Sequence, residues 1–272
     1  MHPRLFQLGH IAIPTYGVFA AIALIAALAL AMHTARRLTI DPNKIWNLSL
    51  IGIFTTLLGS RLLLILFHPR DFLAHPFWIL GLVTIRSRGI FYGSVLLAIC
   101  ACIGYIFATG LPLRRTLDCL APAAALGLAI QSLGNFAAGS DYGSPTDQPW
   151  GVVYRHGLAT LWSGTPLGIR LHPVQVYQAL ILFALLAALF FLLPRGQQDG
   201  DLAGTFLFVY GISLYFLDFY RGPPTFIFHE AISLTQIIAI IITLTGAAFW
   251  IRRKPAAFHP HPLGYDSQTQ IR

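Results

Sequence analysis

From Tyr16 to Ala35 the chain runs without a single Lys, Arg, Asp or Glu, and the run closes on Arg36-Arg37. At about 1.5 Å per residue, a helix of that length matches the roughly 30 Å hydrocarbon core of a bilayer. A backbone in lipid must satisfy its own N–H and C=O groups, so a chain built from such runs is restricted to a helical bundle or a closed barrel. Comparable runs recur over 45–67, 89–109, 116–138, 173–193, 202–219 and 231–251. They are helix-length, not alternating segments of about ten residues, and this selects the bundle. The expected fold class is an all-α membrane protein, a polytopic bundle of about seven transmembrane helices with a small extracytoplasmic polar head.

With 56% hydrophobic and only 10% charged residues among 272, an ordinary soluble domain is excluded. The net charge of +8 is accounted for by anionic lipid surfaces and basic cytoplasmic loops, so nucleic acid is not an expected partner. Cys100, Cys102 and Cys119 show neither metal-ligand spacing nor a disulfide framework and read as small core residues. No metal and no cofactor are expected. The first run ends without a small-residue cleavage site, so it reads as a span and not as a leader peptide.

The connections are less regular. Residues 1–15 read as a short polar lead, and 68–88, with Pro69, Pro76 and Trp78, as an interfacial or re-entrant piece. Pro122 is expected to break the fourth helix early. Residues 139–171 are too rich in Gly, Pro and Trp for a helix and suggest a small folded head. The chain then forms one transmembrane domain over 1–251, followed by a disordered cytoplasmic tail over 252–272. Arg36, Arg37, Lys44, Arg114, Arg115, Arg195, Arg252, Arg253 and Lys254 gather on one side. The expected orientation therefore has the N-terminus outside and the C-terminus in the cytoplasm of a bacterial plasma (inner) membrane. Arg70, Arg86, Arg88, Arg155, Arg170 and Arg221 fall on the other side, where arginines at headgroup level would hold phosphate.

Ionisable residues inside spans cost about 2.5–3.5 kcal/mol each at the bilayer centre, so each needs a cavity or a partner. Arg61 fits a cavity, or snorkels to the interface. Asp218 stands three residues before Arg221 and could be half of a helical ion pair. Pro173 reads as a helix start, but the polar run His172, Gln175, Tyr177, Gln178 exceeds what a helix start needs. Asn135, beside Gly134, suits a helix C-cap and a substrate contact equally well.

Taken together, these residues resemble the prolipoprotein diacylglyceryl transferase family. The resemblance rests on Thr15-Tyr16-Gly17, Leu58-Gly59-Ser60-Arg61-Leu62, Gly89-Ile90-Phe91-Tyr92-Gly93 and Leu133-Gly134-Asn135-Phe136. It continues through Asp141-Tyr142-Gly143-Ser144-Pro145-Thr146-Asp147 with Pro149-Trp150-Gly151-Val152-Val153, and His172-Pro173-Val174-Gln175-Val176-Tyr177. Tyr210-Gly211 through Asp218-Phe219-Tyr220-Arg221, and Ser233-Leu234-Thr235-Gln236, complete it. The order and spacing of the blocks, up to about Ile251, carry the likeness.

The resemblance implies transfer of a diacylglyceryl group from phosphatidylglycerol to the lipobox cysteine thiol of prolipoproteins, forming a thioether. The implied partners are phosphatidylglycerol and prolipoprotein precursors. Tyr92 and Asn135 are the implied catalytic residues. Tyr16, Arg61, Arg88, Gly134, Asp141, Gly143, His172, Tyr177, Tyr210, Asp218 and Arg221 would bind substrate or brace the site. The chain departs from the family at Tyr92-Gly93-Ser94, where many members have His-Gly-Gly and others a tyrosine. Ser132 and Leu214 stand where the family has arginines. These two replacements keep a second function open: a non-catalytic or altered-donor relative that binds lipid or lipoprotein precursors. A small-solute transporter is disfavoured, because no internal repeat is visible.

Overall fold

The computed structural model describes residues 3–8, 11–67, 69, 88–195, 198–222, 226–228 and 232–251. The apolar runs fold as α1 (Thr15–Arg37), α2 (Pro42–Phe67), α3 (Arg88–Ala108) and α4 (Leu113–Ala138). After the short α5 (Gly157–Ser163) come α6 (Val174–Leu192), α7 (Asp201–Asp218) and α8 (Leu234–Ile251). Among the described residues, six helices are long and apolar enough to cross a membrane, and α3 adds the shorter apolar stretch Tyr92–Ala108. Among the described residues, sheet is confined to two-stranded antiparallel pairs: β1 (Arg4–Leu8) with β2 (Ile11–Pro14), β3 (Val152–Val153) with β4 (Arg170–Leu171), and β5 (Phe226–Phe228) with β6 (Ile232–Ser233).

Helix α4 is the hub, packing against α1, α6 and α7, while α2 joins α1 to α3 and α8 covers α7. Lipid tails are as apolar as leucine, so helices in a bilayer associate by close packing, and small residues set the approach. Gly134 of α4 lies so near α1 that a Cβ there would sit 2.3 Å from the Phe19 Cβ. On α8, a Cβ at Gly246 would come within 2.5 Å of the Phe208 backbone nitrogen of α7. Buried alanines and leucines fill the seams, with Ala31, Ala35, Cys119 and Ala123 in one cluster and Ala125, Ala129, Leu182 and Leu185 in another. Exposed Phe107, Leu180, Phe216 and Leu244 form part of the outer surface that a bilayer would cover.

Three local expectations are corrected. Residues 1–15 are not merely a polar lead, because Phe6 pairs with Ile13 and Leu8 with Ile11 in the β1–β2 hairpin. Helix α4 runs through Pro122, since neighbours on several sides outweigh one missing hydrogen bond. The head contains a helix after all: α5 starts at His156, whose Nδ1 accepts from the Leu158 N–H at 3.2 Å, and stops at Gly164 in the left-handed region. The expected piece over 68–88 lies outside the described residues apart from Pro69 and the helical backbone at Arg88. The tail over 252–272 lies outside them too.

The end of the bundle opposite the head is tied by polar bonds. Lys44 Nζ donates to the Thr109 carbonyl at 3.1 Å, and Arg115 Nη2 to Thr39 Oγ1 at 2.9 Å. The Asp118 carboxylate of α4, itself buried, accepts from the backbone N–H groups of Gly200 and Ala203 and so caps the start of α7. Sequence reasoning passed over Asp118.

Candidate functional site

The topology brings one end of every span to the head: the starts of α1, α3, α6 and α8 and the ends of α2, α4 and α7. At about 1.5 Å per residue, Asn135, Tyr92, Arg61 and Tyr210 lie about 5, 6, 9 and 12 Å in from the nearest helix end. That depth is within the half of a roughly 30 Å hydrocarbon layer nearer the head.

The head is stitched down by backbone bonds that leave little room for side chains. Ser144 N donates to the Tyr220 carbonyl at 2.8 Å, Gly222 N to Tyr142 at 2.9 Å, and His172 N to Ser144 at 3.0 Å. Gly143 sits at this crossing, where a Cβ would meet the His172 carbonyl at 2.3 Å and the Tyr220 carbonyl at 2.8 Å. The turn is entered through Asp141 at φ 55°, a left-handed conformation that aspartate tolerates better than most residues. Its carboxylate Oδ1 lies 3.4 Å from Arg221 Nη1, and Arg221 Nη2 donates to Gln178 Oε1 of α6 at 2.8 Å. Arg221 therefore links head, α6 and the end of α7, while its buried Nε–H has no hydrogen-bond partner among the described residues.

A second cluster joins the head to the start of α6. Trp150 Nε1 donates to the Tyr177 hydroxyl at 2.7 Å, and that hydroxyl is 3.4 Å from His172 Nδ1. The imidazole packs edge-on against Tyr220 at 5.1 Å and Tyr177 at 6.3 Å between centroids. Below it, the buried Gln175 donates to the Ser140 carbonyl at 2.6 Å and to the Tyr154 hydroxyl at 3.3 Å. Burial pushes the Tyr154 phenol above its ordinary pKa; the bond from Gln175 opposes this and the Asp141 charge adds to it.

At the end of α4, Asn135 Oδ1 accepts from Gln131 Nε2 at 3.1 Å and from Ser140 Oγ at 3.3 Å. With the oxygen doubly engaged, the Nδ2 donors are the part of the amide left for a ligand. The C-cap at this helix end is Gly139 at φ 79°, not Asn135. On the opposite wall, Gly59 of α2 packs against Leu97 and Ser94 of α3, and Leu63 against Gly93. Arg61 thus stands at the level of Tyr92, and Tyr92 is within electrostatic reach of Tyr210, as are Arg221 and Asp141. Tyr16, half-buried, is one turn before the Phe19 that closes on Gly134.

Asp218 belongs to a different unit. Its Oδ2 accepts from the Ser233 hydroxyl, while Ser233 and Gln236 form a reciprocal capping box at the start of α8, with bonds of 3.1 Å each way. The helical Asp218–Arg221 ion pair is not what these side chains make: Arg221 turns to Asp141 and Gln178, Asp218 to Ser233. Ser132 is buried and donates to the Leu128 carbonyl at 2.8 Å, and Leu214 is buried in α7. Arg88 begins α3, and its side chain lies outside the described residues. Tyr154 and Gln131 were missed as site partners, whereas Gln178 stood out in the polar run that opens α6 but was given no partner; the fold pairs it with Arg221. Among the described residues, no group of three or more His, Cys, Asp or Glu could hold a metal ion.

Residues 3–252 match the family described as prolipoprotein diacylglyceryl transferase. A phosphatidylglycerol–prolipoprotein diacylglyceryl transferase of a Polaromonas species is 31% identical over 270 residues, covering 92% of this chain and 92% of the relative. One of Geobacter sulfurreducens is 30% identical over 265 residues, covering 93% and 96%. One of Clostridium tetani is 26% identical over 246 residues, covering 90% and 95%.

Proposed function

Because the chain belongs to the prolipoprotein diacylglyceryl transferase family, we propose that it moves a diacylglyceryl group from phosphatidylglycerol to a cysteine thiol of a prolipoprotein. The thiol sulfur forms a bond to the glycerol carbon that carries the phosphate, and the carbon–oxygen bond to phosphate breaks. Glycerol phosphate leaves with the electron pair, and the thiol proton passes to a base. Such a site has to hold the phosphate, take up the proton and admit lipid from the side.

The observation that carries the reading is the half-buried Arg221, whose buried Nε–H is unpaired among the described residues beneath the head, with the Asn135 amide donors at the neighbouring helix end. Arg221 and Arg61 would hold the phosphate and Asn135 the glycerol hydroxyls or an ester oxygen. Tyr92 would orient the thiol and assist its deprotonation, with His172, held by Tyr177, as a second proton acceptor. Asp141 through Trp150 would cover the site. Arg88 would stand at the mouth of the same wall, and Gly134, Gly143, Tyr16, Tyr210 and Asp218 would shape and brace it. An apolar cavity of about 350 Å³ between α7 and α8, bordered by Ile212, Phe216 and Leu244, suits acyl chains approaching from the bilayer. In this reading the head faces the extracytoplasmic side and the Arg36-Arg37 end the cytoplasm, as the clustering of basic residues favours.

The buried Ser132 and Leu214, which bring no charge, favour the second reading, a lipid-binding relative without this activity or with another donor. Complementation separates the two. The chain is expressed in bacterial cells depleted of their own transferase, and a reporter prolipoprotein is followed by mass. A diacylglyceryl mass increment supports transfer; a membrane-inserted, well-expressed protein that gives none refutes it.

A further inference from the structure

Between the last turns of α1 and α6, at the end of the bundle away from the head, lies a cavity of about 440 Å³ lined by His33, Arg37, Leu38, Phe190, Leu193 and Pro194. Both helices run in the same direction along α4 and pack on it, so the cavity opens between their ends. Basic residues in a last helical turn are ordinary, because they suit the negative end of the helix dipole. An apolar-floored opening beneath them is not required by that preference.

We propose that this cavity is a binding site for one anionic phospholipid of the leaflet on that side, separate from the donor site under the head. The rim is cationic and the floor apolar, which is the polarity of a phosphate headgroup above its acyl chains. The Arg37 side chain is exposed and makes no hydrogen bond or ion pair with another described residue, so its planar fork is available for two phosphate oxygens. The nearby acids on this face do not claim it. Asp118 caps α7, Asp201 accepts from the Gln198 N–H at 3.2 Å, and Asp41 accepts from the Asn43 N–H at 2.9 Å. Arg195, at the end of the same turn as Pro194, lies over the Phe191 ring and adds a second cation at the α6 side. Phe190 and Leu193 would take the upper acyl methylenes.

The test uses the full chain in nanodiscs of phosphatidylcholine doped with a photoreactive phosphatidylglycerol, with crosslinked peptides mapped by mass spectrometry. Peptides spanning 33–38 and 190–194 should label. R37Q, at an exposed residue, should reduce that labelling roughly fivefold at sub-saturating probe. L193W should abolish it by filling the cavity. Labelling near Asn135 and Arg221 should be unchanged in both. Equal labelling of 33–38 and 190–194 in wild type and both variants overturns the proposal, as does equal labelling by a photoreactive phosphatidylcholine. Loss of head-side labelling alone would count against the donor site and leave this one standing.

Discussion

Arg221 can be tested as phosphate ligand against the plainer role of holding the head in place. In R221Q, Asp141 loses its ion-pair partner at 3.4 Å and Gln178 Oε1 loses its donor at 2.8 Å. The ion pair is partly exposed, at 21% and 37% for the two side chains, and is worth no more than about 1 kcal/mol. Leaving a mostly buried amide oxygen without its donor costs about 1–3 kcal/mol, so the melting temperature should fall by a few degrees without unfolding. The effect on rate is expected to be larger, about a hundredfold to a thousandfold, because a cation would be missing where the leaving phosphate develops charge. D141N separates the two roles, since it removes the ion pair and keeps the guanidinium. It should lower stability by no more than about 1 kcal/mol, less than R221Q does, and leave the rate within about tenfold. R221K, a point charge without the fork, should fall between. The assay is diacylglyceryl transfer to a prolipoprotein peptide, normalised to folded protein. Equal slowing by R221Q and D141N, or an R221Q rate within a few-fold of wild type, would show that Arg221 only docks the head.

Other positions give sharper structural readouts. G143A would place a methyl 2.3 Å from the His172 carbonyl and 2.8 Å from that of Tyr220; the expected loss is about 1–3 kcal/mol, seen as protease sensitivity of the head and lost transfer. D118N weakens the cap on α7 at the far end, so thermal stability in detergent should drop by about 1–2 kcal/mol while turnover per folded molecule stays the same. Tyr154 has a folded pKa raised above its reference of 10.0. Its contribution to stability is therefore full below about pH 10 and is lost as pH rises through the folded value. Y154F should lack that part of the alkaline decline, and identical wild-type and Y154F melting curves from pH 9 to 12 would refute the assignment.

The spans were legible because lipid imposes one rule on every residue of a run: helix-length apolar stretches bounded by charge or proline. Their ends were less so. Two hydrophobic pairs flanking Gly9-His10 were the hairpin signal in the first segment, and they are faint beside the helix-length runs. Pro122 argued for a break, yet packing on α1, α6 and α7 keeps α4 whole, a tertiary effect no local pattern contains. Asp118 was invisible for the same reason: the N–H groups it caps belong to residues more than eighty positions away.

The polar residues near the head could be named from the chain, but which of them pair could not. Spacing suggested Asp218 with Arg221, whereas the fold gives Asp218 to the Ser233 cap and Arg221 to Asp141 and Gln178. That exchange bears on the two positions where the family has arginines. Ser132 turns its hydroxyl onto its own helix and Leu214 is packed in α7, so neither position carries charge into the interior. A charged side chain in a span costs up to about 2.5–3.5 kcal/mol at the bilayer centre and less towards its ends, so the chain is relieved of part of that cost at both positions. The relief is tolerable for phosphate chemistry only where other donors face the same volume. Arg221 is suited to this because Asp141 and Gln178 engage its two terminal nitrogens and fix its plane, leaving the buried Nε–H unpaired among the described residues. A guanidinium fixed before the lipid arrives has little left to reorganise when the phosphate leaves, and preorganisation of that kind can offset a smaller total charge.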